Sequence, residues 1–173
     1  RLEKNWEENQ TGGGKDRIEV QHSLGKRTAR ERIDALVDPG SFGELGSLVR
    51  DPYARRAPIP KPSPSDGVVM GTARIRNRPV MVYSLDFTVM SGSIGEQGVW
   101  KIAELVQMAG QEQMPLIGII DSAGSRLTFK GGFAGLNGLG RLVRNYCLYS
   151  GVIPQITLIL GPCTGPLAQV AAL

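Results

Sequence analysis

An apolar run that breaks into a turn of small residues occurs twice in the second half of this chain. The first is Leu116–Ile120, introduced by Pro115 and broken at Asp121 into Ser122-Ala123-Gly124-Ser125, just before Arg126. The second is Gln155–Leu160, which ends at Gly161-Pro162-Cys163-Thr164-Gly165-Pro166. Helical spacing follows each turn, over Leu139–Tyr149 in the first case and from Pro166 in the second. A short apolar run bounded by glycine and proline reads as a buried strand. Strand, small-residue turn and helix in repetition is the pattern of an α/β fold with roughly parallel strands. Both turns are therefore expected at one edge of the sheet, where ligands of such folds sit. Backbone N–H groups in a turn without bulky side chains can hold a developing oxyanion.

The rest of the chain is consistent with this frame. Hydrophobic residues make up 41% of 173, enough for a packed core, and the net charge of +4 is only mildly basic. Cys147 and Cys163 are the only cysteines, which excludes a disulfide framework and suggests a reducing compartment. No apolar run is long enough for a transmembrane helix and no signal peptide is visible. The chain begins at Arg1 and closes on GPLAQVAAL, a helix just starting. It therefore reads as a piece of a longer polypeptide, or as one trimmed at both ends.

Residues 1–25 are polar, and Gly12-Gly13-Gly14 reads as a flexible joint. With Lys15 the glycines superficially suggest a phosphate loop, but the spacing of that motif and its preceding strand are missing. Thr28-Ala29-Arg30-Glu31 fits a capping box. Ile33, Leu36 and Val37 then recur at helical spacing until Asp38-Pro39-Gly40. The basic face of this helix, Lys26, Arg27, Arg30 and Arg32, is most simply solvated; no aromatics interleave with it for nucleic-acid stacking.

Five prolines in 50–66 predict an extended surface connector. This divides the chain into a helical arm (1–50), a connector (51–66) and a main fold (67–173). Within the main fold, 67–75 and 78–86 read as strands around a turn at 76–78. A small-residue loop at 88–95 leads into a helix over 96–113, with Val99, Ile102, Ala103, Leu105, Val106 and Ala109 on its buried side. The glycine-dense stretch 128–140 is either a flap or a close-packing loop. Its apolar part, 129–139, is expected to meet a partner subunit.

Familiar catalytic constellations are missing. His22 is the only histidine and lies about a hundred residues from Ser122, whose surroundings are not a nucleophile elbow. No cluster has metal-ligand spacing, and Asp86 at a strand end reads as structural. Any chemistry must rest on backbone N–H groups and a cofactor.

Five blocks in order carry a family resemblance: GGGKDRIEVQHSLGKRTARERIDALVDPGSF (12–42), DGVVMGTARI (66–75), DFTVMSGSIGE (86–96), IDSAGSRL (120–127) and SGVIPQITLILGPCTG (150–165). The series resembles the amino-terminal half of the carboxyltransferase (β) subunits of biotin-dependent acyl-CoA carboxylases, the propionyl-CoA and acetyl-CoA carboxylase type. The resemblance implies a crotonase-like α/β spiral of β-β-α units, of which this chain holds the amino-terminal part. It also implies transfer of a carboxyl group from carboxybiotin to the α-carbon of an acyl-CoA. In that family the biotin ureido group takes the α-proton, and the thioester enolate is held by fixed donors. Carried onto this chain, the donors are the backbone N–H groups of Gly124 and Ser125. Ser91, Gly92, Ser93, Ala123, Arg126 and Gly165 are then candidate acyl-CoA contacts.

The same resemblance implies biotin carried on a partner, a biotin carboxylase or carrier subunit, and homo-oligomers in which dimers build a hexamer. It implies neither a metal nor nucleic acid, and a cytoplasmic location, or the mitochondrial matrix in a eukaryote. Since the family's active site lies between the amino-terminal half of one subunit and the carboxyl-terminal half of another, the isolated chain is expected to be inactive. Two positions depart from the family pattern. D-S-G-G-A-R is here D-S-A-G-S-R, so Ala123 replaces a glycine and would be strained at positive φ. Pro166 stands where a glycine is usual; it lacks an N–H but suits a helix start. These departures leave open a carboxyltransferase-like subunit serving assembly alone, and nothing in the residues separates carboxylation from a biotin-dependent decarboxylase working in the opposite direction.

Overall fold

The computed structural model describes residues 2–52, 63–127 and 136–173. A five-stranded sheet in the order β1-β2-β3-β4-β5 forms its centre. The strands are β1 (Gly43–Leu45), β2 (Val68–Ile75), β3 (Arg78–Leu85), β4 (Leu116–Ser122) and β5 (Gln155–Cys163). β1, β2 and β3 pair antiparallel, and β3, β4 and β5 pair parallel. The β2–β3 hairpin closes through Arg76 and Asn77, both at positive φ (50° and 64°), as a two-residue turn matched to strand twist requires. The Asp38 carboxylate accepts the backbone N–H groups of Arg76 (2.9 Å) and Asn77 (2.7 Å).

The parallel half needs helical crossovers. These are α4 (Glu96–Gln111) between β3 and β4, and α5 (Leu136–Tyr149) between β4 and β5. The predicted buried side of α4 is buried as expected: Val99, Ile102, Ala103, Leu105, Val106 and Ala109 are all solvent-inaccessible. α4 and α5 approach closely because Gly110 lies under the Tyr149 ring; a Cβ at Gly110 would come within 2.2 Å of it. Both helices, with α6 (Pro166–Ala171), cover one sheet face, where Val68, Met81, Tyr83, Leu85, Leu116 and Ile120 lie. The alternate residues Val69, Ala73, Val80, Val82, Ile117 and Ile119 face the other way and pack with Ala29, Ile33 and Val37. Burial on both faces explains why β4 reads as a continuous apolar run; in β5, by contrast, Ile156, Ile159 and Leu160 are about half exposed.

Three expectations about the amino-terminal half change. The polar stretch before residue 25 forms α1 (Leu2–Gln10) and α2 (Lys15–Ser23). The glycines between them are a packed contact, not a flexible joint: Gly13 N–H donates to Thr88 Oγ1 (2.9 Å), and a Cβ there would sit 1.9 Å from Thr88 O. α3 (Ala29–Leu36) starts at the predicted capping box, with Thr28 and Glu31 reciprocally bonded. Its basic face, however, is not simply solvated. Arg30 is paired bidentately to Glu44 (2.7 and 2.9 Å), and Lys26 and Arg32 reach inward to Asp121. Finally, the end of the proline-rich connector is buried instead of running along the surface: Ser63 precedes a short 3₁₀ turn, Pro64–Gly67, and all five residues are buried. The expected partner contact over 129–139 falls mostly outside the described residues.

Candidate acyl-binding turn and its supports

The carboxyl ends of the three parallel strands meet, as predicted, at one edge of the sheet. Ser122 of β4 pairs with Cys163 of β5, so the turns 122–126 and 163–166 lie side by side. A third segment joins them. Beyond β3 the chain passes through a 3₁₀ turn, Met90–Gly92, and then forms a short parallel bridge between Ile94 and Ser125. Four backbone and side-chain bonds lock this loop to the turn. Ala123 N–H donates to Ser91 O (3.0 Å), Ile94 N–H to Gly124 O (2.8 Å), Arg126 N–H to Ile94 O (2.9 Å), and Ser122 Oγ to Gly92 O (2.7 Å). Gly92 is at φ +64°, and a Cβ there would lie 2.2 Å from Asp121 O. Met90 and Ser91 also hold positive φ (47° and 56°), a backbone strain typical of loops under functional constraint.

The candidate residues differ in what they offer. Gly124 is at φ +103°, and a Cβ would meet Thr164 Oγ1 at 2.7 Å, so glycine is required. Its N–H is already donated to Ser122 Oγ (3.0 Å), which corrects the expectation that it stands free as an oxyanion donor. Ser125 N–H has no hydrogen-bond partner among the described residues. Gly165, at φ +62°, is its neighbour: a Cβ there would come 3.8 Å from Ser125 N and 4.0 Å from Ser125 Oγ. Ser91 and Ala123 are exposed beside this place. Ser93 is occupied, its Oγ donating to Met90 O (2.8 Å) and its carbonyl accepting from Arg126 (2.7 Å).

Arg126 also corrects an expectation. It is turned inward, 7% exposed, and its guanidinium bonds Asp66, Asp51 (3.1 Å) and Ser93 O. A guanidinium committed in this way has no edge left for a CoA phosphate. Burial pushes the Asp66 carboxyl up, while Arg126 and the Gly98 N–H (2.7 Å) act against that shift. The two departures from the family pattern are accommodated. Ala123 is not at positive φ, and Pro166 is the first residue of α6, where its missing N–H costs nothing.

His22 is bonded to Glu31 at 3.0 Å on the surface, and no hydrogen bond joins it to Ser122 among the described residues. Asp86 is buried and accepts from Thr88 N–H and Oγ1, the structural role expected of it. Burial raises its carboxyl above the usual range. Among the described residues no group of three or more His, Cys, Asp or Glu is placed to hold a metal, and no helix is long and apolar enough to cross a membrane.

Two features were not anticipated from the sequence. One is a cleft of about 550 Å³ between α2 and the 87–91 loop, lined by Lys15, Arg17, Phe87, Thr88 and Ser91 among others. It leads from basic residues to Ser91, beside the turn. The other is the set of donors around Asp121. Neither leaves a local sequence signal, since each joins segments about 70 to 100 positions apart.

Known proteins of the same construction supply the family. The carboxyl transferase domain matches residues 20–173. The propionyl-CoA carboxylase beta chain of Roseobacter denitrificans is 44% identical over 89% of this chain and 30% of its own length. The methylmalonyl-CoA decarboxylase subunit alpha of Propionigenium modestum is 40% identical over 95% of this chain and 31% of its own. A crystal structure of transcarboxylase 12S, a hexamer with methylmalonyl-coenzyme A and methylmalonic acid bound, superposes with a TM-score of 0.89 at 38% identity, over 99% of this chain and 33% of that one. The chain thus spans about a third of the length of the relatives it matches. Its mixed α/β sheet is the amino-terminal part of their crotonase-like fold. By sequence over nearly its whole length and by the path of its backbone, this chain belongs to the carboxyl transferase domain family.

Proposed function

We propose that this chain forms the acyl-CoA-binding half of a carboxyltransferase, in which a carboxyl group passes from carboxybiotin to the α-carbon of an acyl-CoA. The observation that carries the reading is the Ser125 N–H, unpartnered among the described residues, beside Gly165 of the second turn. Such a donor, fixed by the Ile94 bridge, stabilises a thioester oxygen more as negative charge develops on it than in the ground state. In this reading the cleft holds the CoA portion: Ser91, which lines it beside the turn, lies toward the acyl group, and Lys15 and Arg17, which also line it, suit the CoA phosphates.

The surroundings of Ser125 fit a reaction whose base is not a side chain of this half. Ser91, Ser93, Ala123 and Thr164 contribute hydroxyls and backbone, and burial raises the Cys163 thiol, which keeps it protonated rather than a thiolate available to take a proton. Biotin, carried on a partner protein, supplies the carboxyl group and, after its release, the ureido base. The work of this chain is to bind the thioester, orient its α-carbon and hold the oxygen. Assembly into a homo-oligomer follows the hexamer of transcarboxylase 12S. The relationship to a methylmalonyl-CoA decarboxylase subunit supports a second reading, the same site running toward decarboxylation, with the partner subunits setting the direction.

Calorimetric titration with propionyl-CoA, acetyl-CoA and free CoA tests the reading. Acyl-CoA should bind more tightly than free CoA. Ser125→Ala, which keeps the N–H, should retain that preference. Ser125→Pro, which deletes the N–H, should reduce it about tenfold, the equivalent of one hydrogen bond. Equal affinity for all three compounds in the unmodified chain would refute the acyl-binding turn.

A further inference from the structure

We infer that Asp121 is a positioning residue for the acyl-binding turn, gripped by the amino-terminal helices so that Ser122–Ser125 keeps its shape; this rests on the function proposed above. Asp121 stands near the carboxyl end of β4, at the register irregularity between Ile120 and Ser122, and it is completely buried. Three donors converge on its carboxylate from α2, the following loop and α3: Gln21 Nε2 (3.3 Å), Lys26 Nζ (2.8 Å) and Arg32 Nη2 (2.7 Å). The room for it is made by Gly161 on β5, where a Cβ would fall 2.0 Å from Asp121 Oδ1. A buried carboxylate so fully engaged fixes its own backbone as well as its side chain.

That backbone is the root of the site. Asp121 O lies against Gly92, and the next residue, Ser122, holds the Gly92 carbonyl and the Gly124 N–H with one hydroxyl. The path from the helical arm to the donor is therefore short: Lys26 and Arg32 hold Asp121, Asp121 sets Ser122, and Ser122 ties down the residue before Ser125. Lys26 also covers the Phe87 ring at 4.3 Å, and Phe87 lines the α2 cleft. A basic helix that sequence alone assigns to solvent thus acts as the clamp on the turn.

The test is Asp121→Asn, with Lys26→Met as the milder variant in case the first does not fold. Two measurements are made on each. Amide hydrogen exchange should accelerate at least tenfold at Gly124 N–H, with the amides of α4 unchanged; a merely structural loss would speed both. Propionyl-CoA should lose at least tenfold of its affinity advantage over free CoA in Asp121→Asn, while free CoA stays within twofold. For Lys26→Met a smaller change in the same direction is expected at both readouts. Unchanged exchange at Gly124 in a folded variant of either kind overturns the inference. Faster exchange at Gly124, combined with no acyl preference in the unmodified chain, upholds the positioning role and sinks the proposed function instead.

Discussion

Lys101 provides a stability test whose size and sign follow from its surroundings. Its side chain leaves α4 and is buried, 6% exposed, with Nζ donating to Ser65 O (2.9 Å) and Val68 O (2.6 Å). Burial lowers its pKa from 10.5 to about 8, against the opposing pull of Glu44 and Asp66. Below pH 8 the amine is protonated in both folded and unfolded chains, so the folded state carries the full cost of a buried charge. Between pH 8 and 10.5 the unfolded chain binds more protons than the folded one, and stability rises with pH in that window. A shift of this size corresponds to about 3 kcal/mol.

Lys101→Met removes the charge and keeps most of the apolar stem. At pH 7 the relief of the buried charge is offset by two carbonyls that lose their donor, at roughly 1 kcal/mol each, so the variant should match the parent to within about 1 kcal/mol. At pH 10.5 the neutral amine of the parent still donates to both carbonyls, and the variant should be about 2 kcal/mol less stable. Urea denaturation followed by Trp100 fluorescence, at half-unit steps from pH 7 to 10.5, measures the gap directly. Parallel stability curves for the two proteins over that range would refute the reasoning, because they would mean that Lys101 titrates alike in the folded and unfolded chains.

Two further perturbations probe other supports. Arg126→Met leaves the fully buried Asp66 without its guanidinium partner, and should cost about 3–5 kcal/mol at neutral pH; a thermal midpoint unchanged from the parent would show that the pair contributes little. Gly13→Ala puts a methyl group 1.9 Å from Thr88 O and should release α1 and α2 from the 86–88 loop; limited proteolysis should then cut after Lys15 or Arg17, and resistance equal to the parent would contradict a packed joint.

Local signals made the scaffold legible. The capping box at Thr28 and Glu31, the buried stripe of α4, the hairpin at 76–77 and the two strand–turn units are each specified by neighbours a few positions apart, and all are found where expected. The placing of both turns at one edge also followed from sequence, because parallel strands joined by helices must end together. The small residues of the turns were legible as well, and the structure gives a reason for two of them: Gly124 and Gly165 both stand at positive φ, where glycine is the permissive choice.

What the tertiary structure alone decided is which of those groups are free and which are committed. Gly124 and Ser125 look equivalent as a pair of adjacent N–H donors, yet only a hydroxyl at Ser122, folded back by its bond to Gly92 O, separates the occupied one from the open one. Arg126 reads as a ligand-binding cation, and Lys26 and Arg32 as a wet helix face, until Asp66 and Asp121 arrive from 60 and about 90 positions away to neutralise them. Charge on a side chain is written in the sequence. Its partner is chosen by folding, because the energy of an ion pair depends on distance and on the water removed around it.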